Sequence, residues 1–388
     1  MQKNTTHTVD ITNLAIPELV FLRELFVSNG FDLRFVGGCV RDTLLGIVPN
    51  DVDLHTDANP QEQVSIYRAA GVYYIETGLQ HGTLTVLLND KTYEITSLRQ
   101  DTETDGRHAT VVYTRDWQTD CQRRDFTINA MSIGFDGDLM DPFNGQHDLQ
   151  NGLVAFVGDP AQRIKEDYLR ILRWFRFRGR FGMSMSYSAR RAVEELASGL
   201  ANISREGVWS EVSKIISGND GPFIMLEMHS VGVADFINLQ NTSTNIVEAQ
   251  EVHAITKNPV TLMVSMYEGE AIRVLNTWKA SSAEQDLAVF LSMEWQSNIS
   301  PHNWMAVSGI SREWALELAA LRGMDAFDRA VLETWEVPVF PVSGNDIIEL
   351  GVKQGPIIGE ILHKLKSQWA AHSYTLTKQD LLRGIVSN

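Results

Sequence analysis

An α+β chain, with a small mixed β-sheet and its helices at the N-terminus and an all-helical remainder, is the fold the sequence predicts, and three observations predict it. Short apolar runs with period-two alternation crowd into residues 33–98, the spacing that sends successive side chains to opposite faces of a strand. From Asp159-Pro160 onward the apolar residues recur at three and four, which lines one side of a helix. No internal repeat, low-complexity segment or apolar run of about 18 residues interrupts this order. On that basis the chain divides into a head over 1–158, a neck over 159–220, and a body and tail over 221–388.

Composition sets the class. With 388 residues, 44% apolar and 21% charged, the chain can bury more than one core. A net charge of −16 argues against nonspecific coating of nucleic acid. Between Arg163 and Arg191, however, nine Lys or Arg face only Glu166 and Asp167, so this segment carries +7 and the rest −23. A basic band on an acidic body suits one polyanion held in one place. The start, MQKNTTHTVD, has no basic n-region, apolar h-region or arginine-rich amphipathic address, so the expected location is cytoplasmic, with no membrane span. Cys39 and Cys121 make neither a disulfide framework nor a cysteine zinc site and are expected to be small buried residues.

Taken in order, residues 11–29 have helical apolar spacing closed by Asn29-Gly30. Leu33 to Val36 reads as a strand running into Gly37 and Gly38, and Cys39 to Leu45 as a helix. A glycine pair there is either a plain turn or a place where backbone N–H groups approach an anion. Asp51 and Asp53 lie on a segment with strand alternation, so both carboxylates share a face. They are either a solvated strand end or a magnesium-binding pair beside a nucleotide. Asn59-Pro60 opens a helix to Ala70, and Val72–Ile75, Leu84–Leu88 and Tyr93–Leu98 read as strands, the last two joined by a turn at Asn89 to Lys91. Glu94, on the last of these, is a solvent-facing acid or a third carboxylate beside the aspartates. Residues 101–120 are polar and read as a mobile loop. Arg123 to Ala130 reads as the opening of a helix, and the turn-rich stretch 138–148 ends in a solvated His147-Asp148, without the further ligands a metal phosphohydrolase needs.

In the neck, Glu166 to Arg176 reads as one helix, so Asp167 and Arg170, three apart, sit side by side. They form either a surface ion pair or an acceptor and donor fork able to read a base edge. Arg173 and Arg176 extend the ridge, while Leu169, Ile171, Leu172, Trp174, Phe175 and Phe177 belong to a core. Ser204 starts a capped helix. Several amphipathic helices fill 221–337, broken at 240–244 and 296–300, with His253 and His302 as ordinary structural histidines. Asn345-Asp346 is placed to cap a tail helix.

Gly-Gly-Cys-Val-Arg-Asp at 37–42, Asp-Val-Asp at 51–53, Arg123-Arg124-Asp125 and Glu166-Asp167-Tyr168-Leu169-Arg170 occur in the order of known motifs. They resemble those of the class II tRNA nucleotidyltransferases, the CCA-adding enzymes, of the eukaryotic and mitochondrial type. Bacterial poly(A) polymerases are relatives in the same superfamily, which is related to DNA polymerase beta. The resemblance is strong over 35–180 and 340–362 and weaker between, where Gly207 and Trp209 depart from the pattern. It implies a nucleotidyltransferase head that adds or repairs the CCA 3′ end of tRNA from CTP and ATP by two-metal transfer with Mg2+. Asp51 and Asp53 would hold metal, and Glu94 would be a third active-site acid. Gly37, Gly38, Arg41 and Arg124 would hold the triphosphate, and Asp167, Arg170, Arg173 and Arg176 the nucleotide and its surroundings. Residues 101–120, with Asp105-Gly106-Arg107, match the flexible loop that relatives adding only two cytidines have shortened, which favours full CCA addition. The tail would hold the tRNA elbow. The alternatives are a poly(A) polymerase, whose usual basic extensions this acidic chain lacks, and a noncatalytic tRNA binder, which gains nothing from a carboxylate pair. A small-molecule nucleotidyltransferase lacks the long helical half.

Overall fold

Alternation of apolar and polar residues builds the head around a seven-stranded sheet. A computed structural model describes residues 8–79, 82–104, 109–239 and 245–386, in two compact units: Met1–Ser204 with Met228–Ile237, and Arg205–Glu227 with Asn238–Asn388. Of the neck expected over 159–220, residues 159–204 lie in the same unit as the sheet and 205–220 in the other. In chain order the first unit holds α1 (Pro17–Ser28), β1 (Leu33–Val36), α2 (Gly38–Leu44), β2 (Leu54–Thr56), α3 (Pro60–Ala70) and β3 (Tyr73–Gly78). There follow β4 (Thr83–Leu88), β5 (Lys91–Ser97), β6 (Arg99–Thr104), β7 (Ala109–Tyr113) and α4 (Trp117–Gln122). The rest are β8 (Ser132–Ile133), β9 (Leu139–Met140), α5 (Gly145–Gln150), β10 (Leu153–Val154), α6 (Pro160–Glu166), α7 (Leu169–Phe181), β11 (Ser184–Met185) and α8 (Tyr187–Leu196). The sheet order is β3-β4-β5-β2-β1-β8-β9, with β2 and β5 parallel and every other neighbour antiparallel.

One face of this sheet is covered by α1 and α3. Leu33, Phe35, Leu54, Leu84, Val86 and Ile95 from the strands pack with Leu19, Leu22, Phe26, Ile66 and Tyr67 from the helices. Because side chains alternate along a strand, the residues between them point to the other face, where the polar candidates lie. The helix expected over 11–29 begins only at Pro17, whose missing N–H and fixed φ suit the first helical position. Asn59 and Glu62 exchange hydrogen bonds in a capping box at the head of α3 (2.8 and 2.9 Å). Asn89 and Asp90, both at positive φ, make the tight β4–β5 hairpin.

Four sequence expectations are corrected. Residues 101–120 are not simply a loop: β6 and β7 pair antiparallel from Arg99↔Tyr113 to Thr104↔Ala109, and α4 follows. The β-branched run Val111-Val112 favours a ladder over open coil, and the Leu98 carbonyl, accepting from Thr114 N–H at 3.0 Å, ties its base to the sheet. Asp105-Gly106-Arg107 lies outside the described residues. Arg123 to Ala130 does not open a helix beyond a single 3-10 turn, Thr127–Asn129, because Phe126 is held extended in a bridge to Phe156. The neck is not helical throughout, since β10 pairs in parallel with β11. In the tail, Ser343 rather than Asn345 is the cap, and its hydroxyl and N–H bond the Asp346 carboxylate (2.9 and 2.8 Å) at the start of Gly344–Glu349.

Within its described residues the second unit is all helical, from Arg205–Ile216 to Lys378–Val386. Trp278 is fully buried and stacks on Trp209 at 6.1 Å, and Trp369 centres a separate tail core with Leu365, Ile347 and Leu381. Among the expected breaks, 296–300 is non-helical, and 240–244 lies outside the described residues. His253 is buried against the Gly218 carbonyl (2.6 Å) and His302 packs on Trp335. Both cysteines are buried and unpaired, and burial pushes each thiol up to about 11. No helix among the described residues is long and apolar enough to cross a membrane.

Candidate active site

Strand β1 ends at Val36, and the chain must then turn within one residue to start α2. Gly37 makes that turn at φ 70°, a conformation that disfavours side chains. A second reason for glycine is the room it leaves: a Cβ on Gly37 would lie 2.8 Å from Nη1 of Arg124. The glycine therefore makes space for a guanidinium. Gly37→Ala is expected to destabilise the head by about 1–3 kcal/mol and to raise KM for triphosphate more than KM for RNA, read by thermal melting and initial rates.

Around this turn lies a cleft of about 620 Å3 within the first unit. Gly37, Gly38, Arg41, Asp53, Arg124, Asp167, Arg170, Arg173 and Arg176 all line it. Residues 130 positions apart in sequence are thus brought to one cavity, which separates this arrangement from chance motif matches. Asp51 and Glu94 do not line it. Both aspartates precede β2 rather than lying in it, although the Asp53 carbonyl accepts from Val36 N–H (3.1 Å) and continues the ladder by one residue. Glu94 is exposed on β5, one residue before Ile95, which pairs with Leu54. Leu54 and Ile95 both face the core, so Asp53 and Glu94 share the opposite face. Among the described residues no group of three or more His, Cys, Asp or Glu is gathered as a metal cage.

Asp53 is open to solvent through the cleft mouth, yet enough protein packs around it to push its carboxyl above the ordinary range. Arg124 opposes this and neighbouring Asp51 adds to it. A carboxyl raised by burial and by a second acid is relieved by a cation. Two carboxylate oxygens without a full cage also suit magnesium, a hard ion that takes one or two protein acids and completes its shell with water and phosphate. The two acids thus suit a hard divalent cation.

Arg41 is a brace. It is 3% exposed; its Nε and Nη2 donate to Asp42 (2.9 and 2.8 Å) and its Nη1 to Asn129 (2.5 Å). Its guanidinium also lies 5.1 and 4.9 Å from the rings of Phe177 and Phe181 on α7. Asp42 in turn accepts from Arg180 at 3.1 Å, which fastens the glycine turn to α7. Arg124 is the more accessible cation. It donates through Nη1 to the Asn129 carbonyl (3.2 Å) and sits beside His55 and Asp120.

The helix expected over 166–176 is interrupted. Helix α6 stops at Glu166, Asp167 is extended (φ −154°, ψ 105°), and α7 begins at Leu169. Asp167 therefore caps α7 rather than lying inside a continuous helix; its carbonyl accepts from Arg170 N–H (3.1 Å), so the two stay within one turn, and both line the cleft. The Asp167 carboxylate accepts from Leu169 N–H (2.9 Å), one of the orphan donors at the start of α7. Arg170 donates to the Glu166 carboxylate (2.7 Å) and the Arg163 carbonyl (2.8 Å). Arg163, itself bonded to Glu166, also donates to the carbonyls of Arg123 and Arg124 (2.6 Å for the latter). The pair at the break and the Arg124 loop thus form one hydrogen-bonded frame. Arg173 donates to Asp125 (2.7 Å from Nε); burial pushes that carboxyl up, and the guanidinium outweighs it and holds it below its ordinary value. Arg176 packs over Phe177 at 4.6 Å.

Tyr168 fixes the break. A Cβ on Gly199 would fall 1.9 Å from the Tyr168 ring, so the two are in direct contact. Gly199→Ala is expected to lower stability by about 1–3 kcal/mol and to disturb nucleotide choice through Asp167, checked by denaturant melts and by the CTP to ATP preference.

Sequence reasoning singled out Arg123 and Asp125 only as neighbours of Arg124, and missed His55, Asn129 and Arg180, all of which line the cleft; Phe177, expected in the core, is buried and also lines it. His55 was within reach of pattern alone, since it is two residues from Asp53 on a strand and shares its face. Asn129 and Arg180 act across 88 and 138 positions, a separation no local pattern reveals.

Residues 33–155 match the Poly A polymerase head domain. The chain is 38% identical to the mitochondrial CCA tRNA nucleotidyltransferase 1 of Mus musculus, covering 93% of this chain and 88% of that protein. The Danio rerio protein of the same name is also 38% identical, with 97% and 92% covered. The chain belongs to the CCA tRNA nucleotidyltransferase family. It is accordingly an enzyme, and its α+β head with a helical remainder is that family's fold. The Bacillus stearothermophilus CCA-adding enzyme in complex with CTP superposes with a TM-score of 0.76 at 25% identity, over 92% of this chain and 93% of that one. The Thermotoga maritima CCA-adding enzyme complexed with tRNA shares the fold, with a TM-score of 0.67 at 20% identity.

Proposed function

We propose that this cleft completes or repairs the 3′-terminal CCA of tRNA from CTP and ATP, one nucleotide at a time, releasing pyrophosphate and using no nucleic-acid template. The observation that carries it is the convergence of Asp53, Arg124 and the Asp167 and Arg170 pair on one cavity. Arg124, set by the glycine turn, presents a planar donor fork to the phosphate oxygens, while buried Arg41 holds the turn in shape. Asp167 and Arg170 offer an acceptor and donors in a fixed frame, which satisfies the edge of cytosine or adenine. Guanine or uracil leaves a polar group unpaired there, at about 1–3 kcal/mol per group. Asp53, with Asp51 beside it, would hold Mg2+, which when bound supplies a Lewis acid for the reacting phosphate and hydroxyl. Glu94 extends the acidic face without being needed to hold the ion. Seven arginines line the cleft, Arg41, Arg123, Arg124, Arg170, Arg173, Arg176 and Arg180; four of them belong to the nine cations of the basic band, and together they suit one RNA end on an otherwise acidic protein. The tail binds the tRNA elbow in this reading. The working compartment is the cytoplasm, and the relatives named mitochondrial make fractionation of cells expressing the native protein the check.

The test is purified protein, a tRNA lacking CCA, magnesium and each labelled triphosphate in turn. Addition of two cytidines and one adenosine followed by arrest supports the proposal. An unbounded adenosine run points to a poly(A) polymerase, and binding without incorporation to a tRNA-binding protein.

A further inference from the structure

His55 follows Asp53 on the cleft face of β2 and is 7% exposed. Its Nδ1 lies 3.1 Å from Oδ2 of Asp120, an acid 1% exposed in the first turn of α4. Nη2 of Arg124 lies 3.5 and 3.4 Å from the two ring nitrogens, so the guanidinium rests against the imidazole as a whole. It is also 3.5 Å from the same Asp120 oxygen. The other oxygen of Asp120 accepts from Arg123 Nε (2.9 Å) and from Arg99 N–H (3.2 Å).

Two arginines and a histidine therefore compete for one buried carboxylate. A carboxylate and a guanidinium in a low-dielectric site attract each other more strongly than either attracts a neutral ring. Without the imidazole, Arg124, already 3.5 Å from Oδ2, would pair with Asp120 more closely. We propose that His55 is a positioning residue that occupies Asp120 and seats Arg124 where it meets the incoming triphosphate. The inference rests on the reading of this cleft as the triphosphate site. In this arrangement the effect of His55 on the triphosphate passes through Arg124.

The experiment compares His55→Ala, His55→Leu and His55→Gln in the full-length protein, measuring thermal midpoint, equilibrium binding of CTP and ATP, and initial rates of addition to tRNA lacking CCA. Leu fills the volume without a hydrogen bond; Gln can donate to Asp120 and present an oxygen to Arg124. The expected result is that Ala and Leu weaken binding and raise KM for both triphosphates about tenfold, with KM for tRNA unchanged and kcat altered much less. Gln should recover to within about threefold of wild type. Unchanged triphosphate affinity in Leu and Gln overturns the proposal, as does a loss in Gln equal to that in Leu, or a loss that follows only the thermal midpoint. If Ala does not fold, the Leu and Gln pair decides. Failure of the wild-type protein to extend tRNA with either nucleotide would instead sink the reading of the cleft, an outcome visible before any variant is compared.

Discussion

Asp53→Ala is expected to abolish nucleotide addition while leaving tRNA binding intact. Asp53 is the acid of the predicted pair that lines the cleft, and its carboxyl is pushed up by burial and by Asp51, a local excess of negative potential that a divalent ion neutralises. Losing it removes a ligand together with the alignment that ligand imposes, an effect worth several kcal/mol, or on the order of 10^3-fold in kcat. Stability should change little, because among the described residues the side chain makes no hydrogen bond and the backbone bond to Val36 does not depend on it. Asp51→Ala should cost less, since Asp51 is exposed and outside the cleft lining. Single-turnover incorporation of labelled CTP gives the rate, and filter binding of tRNA the control. Activity within tenfold of wild type in Asp53→Ala would remove the metal assignment.

Asp167→Asn is expected to blur the choice of nucleotide more than it weakens triphosphate binding. The substitution keeps the carbonyl oxygen that accepts from Leu169 N–H, so the start of α7 stays capped, whereas Ala would lose that cap, about 1 kcal/mol. What changes is one oxygen turned into a donor, which reverses the pattern shown to a base edge. Each mismatched pair removed or created is worth about 1–3 kcal/mol, so discrimination against UTP or GTP should fall by about 5- to 150-fold in relative kcat/KM. Arg170→Ala should blur choice as well and also cost stability, since Glu166 and the Arg163 carbonyl lose a partner. Competition assays with paired labelled triphosphates measure both. Unaltered selectivity in Asp167→Asn would show that the base is read elsewhere.

The head strands, the helix Pro60–Ala70 and the glycine turn were legible because each is encoded locally. Period-two alternation, a capping box and a positive-φ glycine are properties of a few adjacent residues. The expectation for 101–120 failed for the same reason in reverse. Polar composition suggested a loop, but β6 and β7 satisfy each other's backbone across the hairpin, which composition does not report. The break at Asp167 was equally hidden. Nothing in Glu-Asp-Tyr-Leu-Arg forbids a continuous helix; the turn is held by Tyr168 wedged on Gly199 and by Arg163 reaching the Arg124 loop.

By itself, the sequence determined which chemical groups are present and how they are spaced: two acids on a segment with strand alternation, an arginine beside a glycine turn, an acid and an arginine three apart in a helical run. Those follow from short-range spacing. The tertiary structure alone decided which of them meet. It made Arg41 a buried brace and Arg124 the accessible cation, left Glu94 and Asp51 outside the cleft, and brought His55 and Asp120 behind Arg124. Such assignments depend on contacts between residues 65 to 138 positions apart, where packing and desolvation, not local spacing, set which charges are satisfied and which remain to bind a substrate.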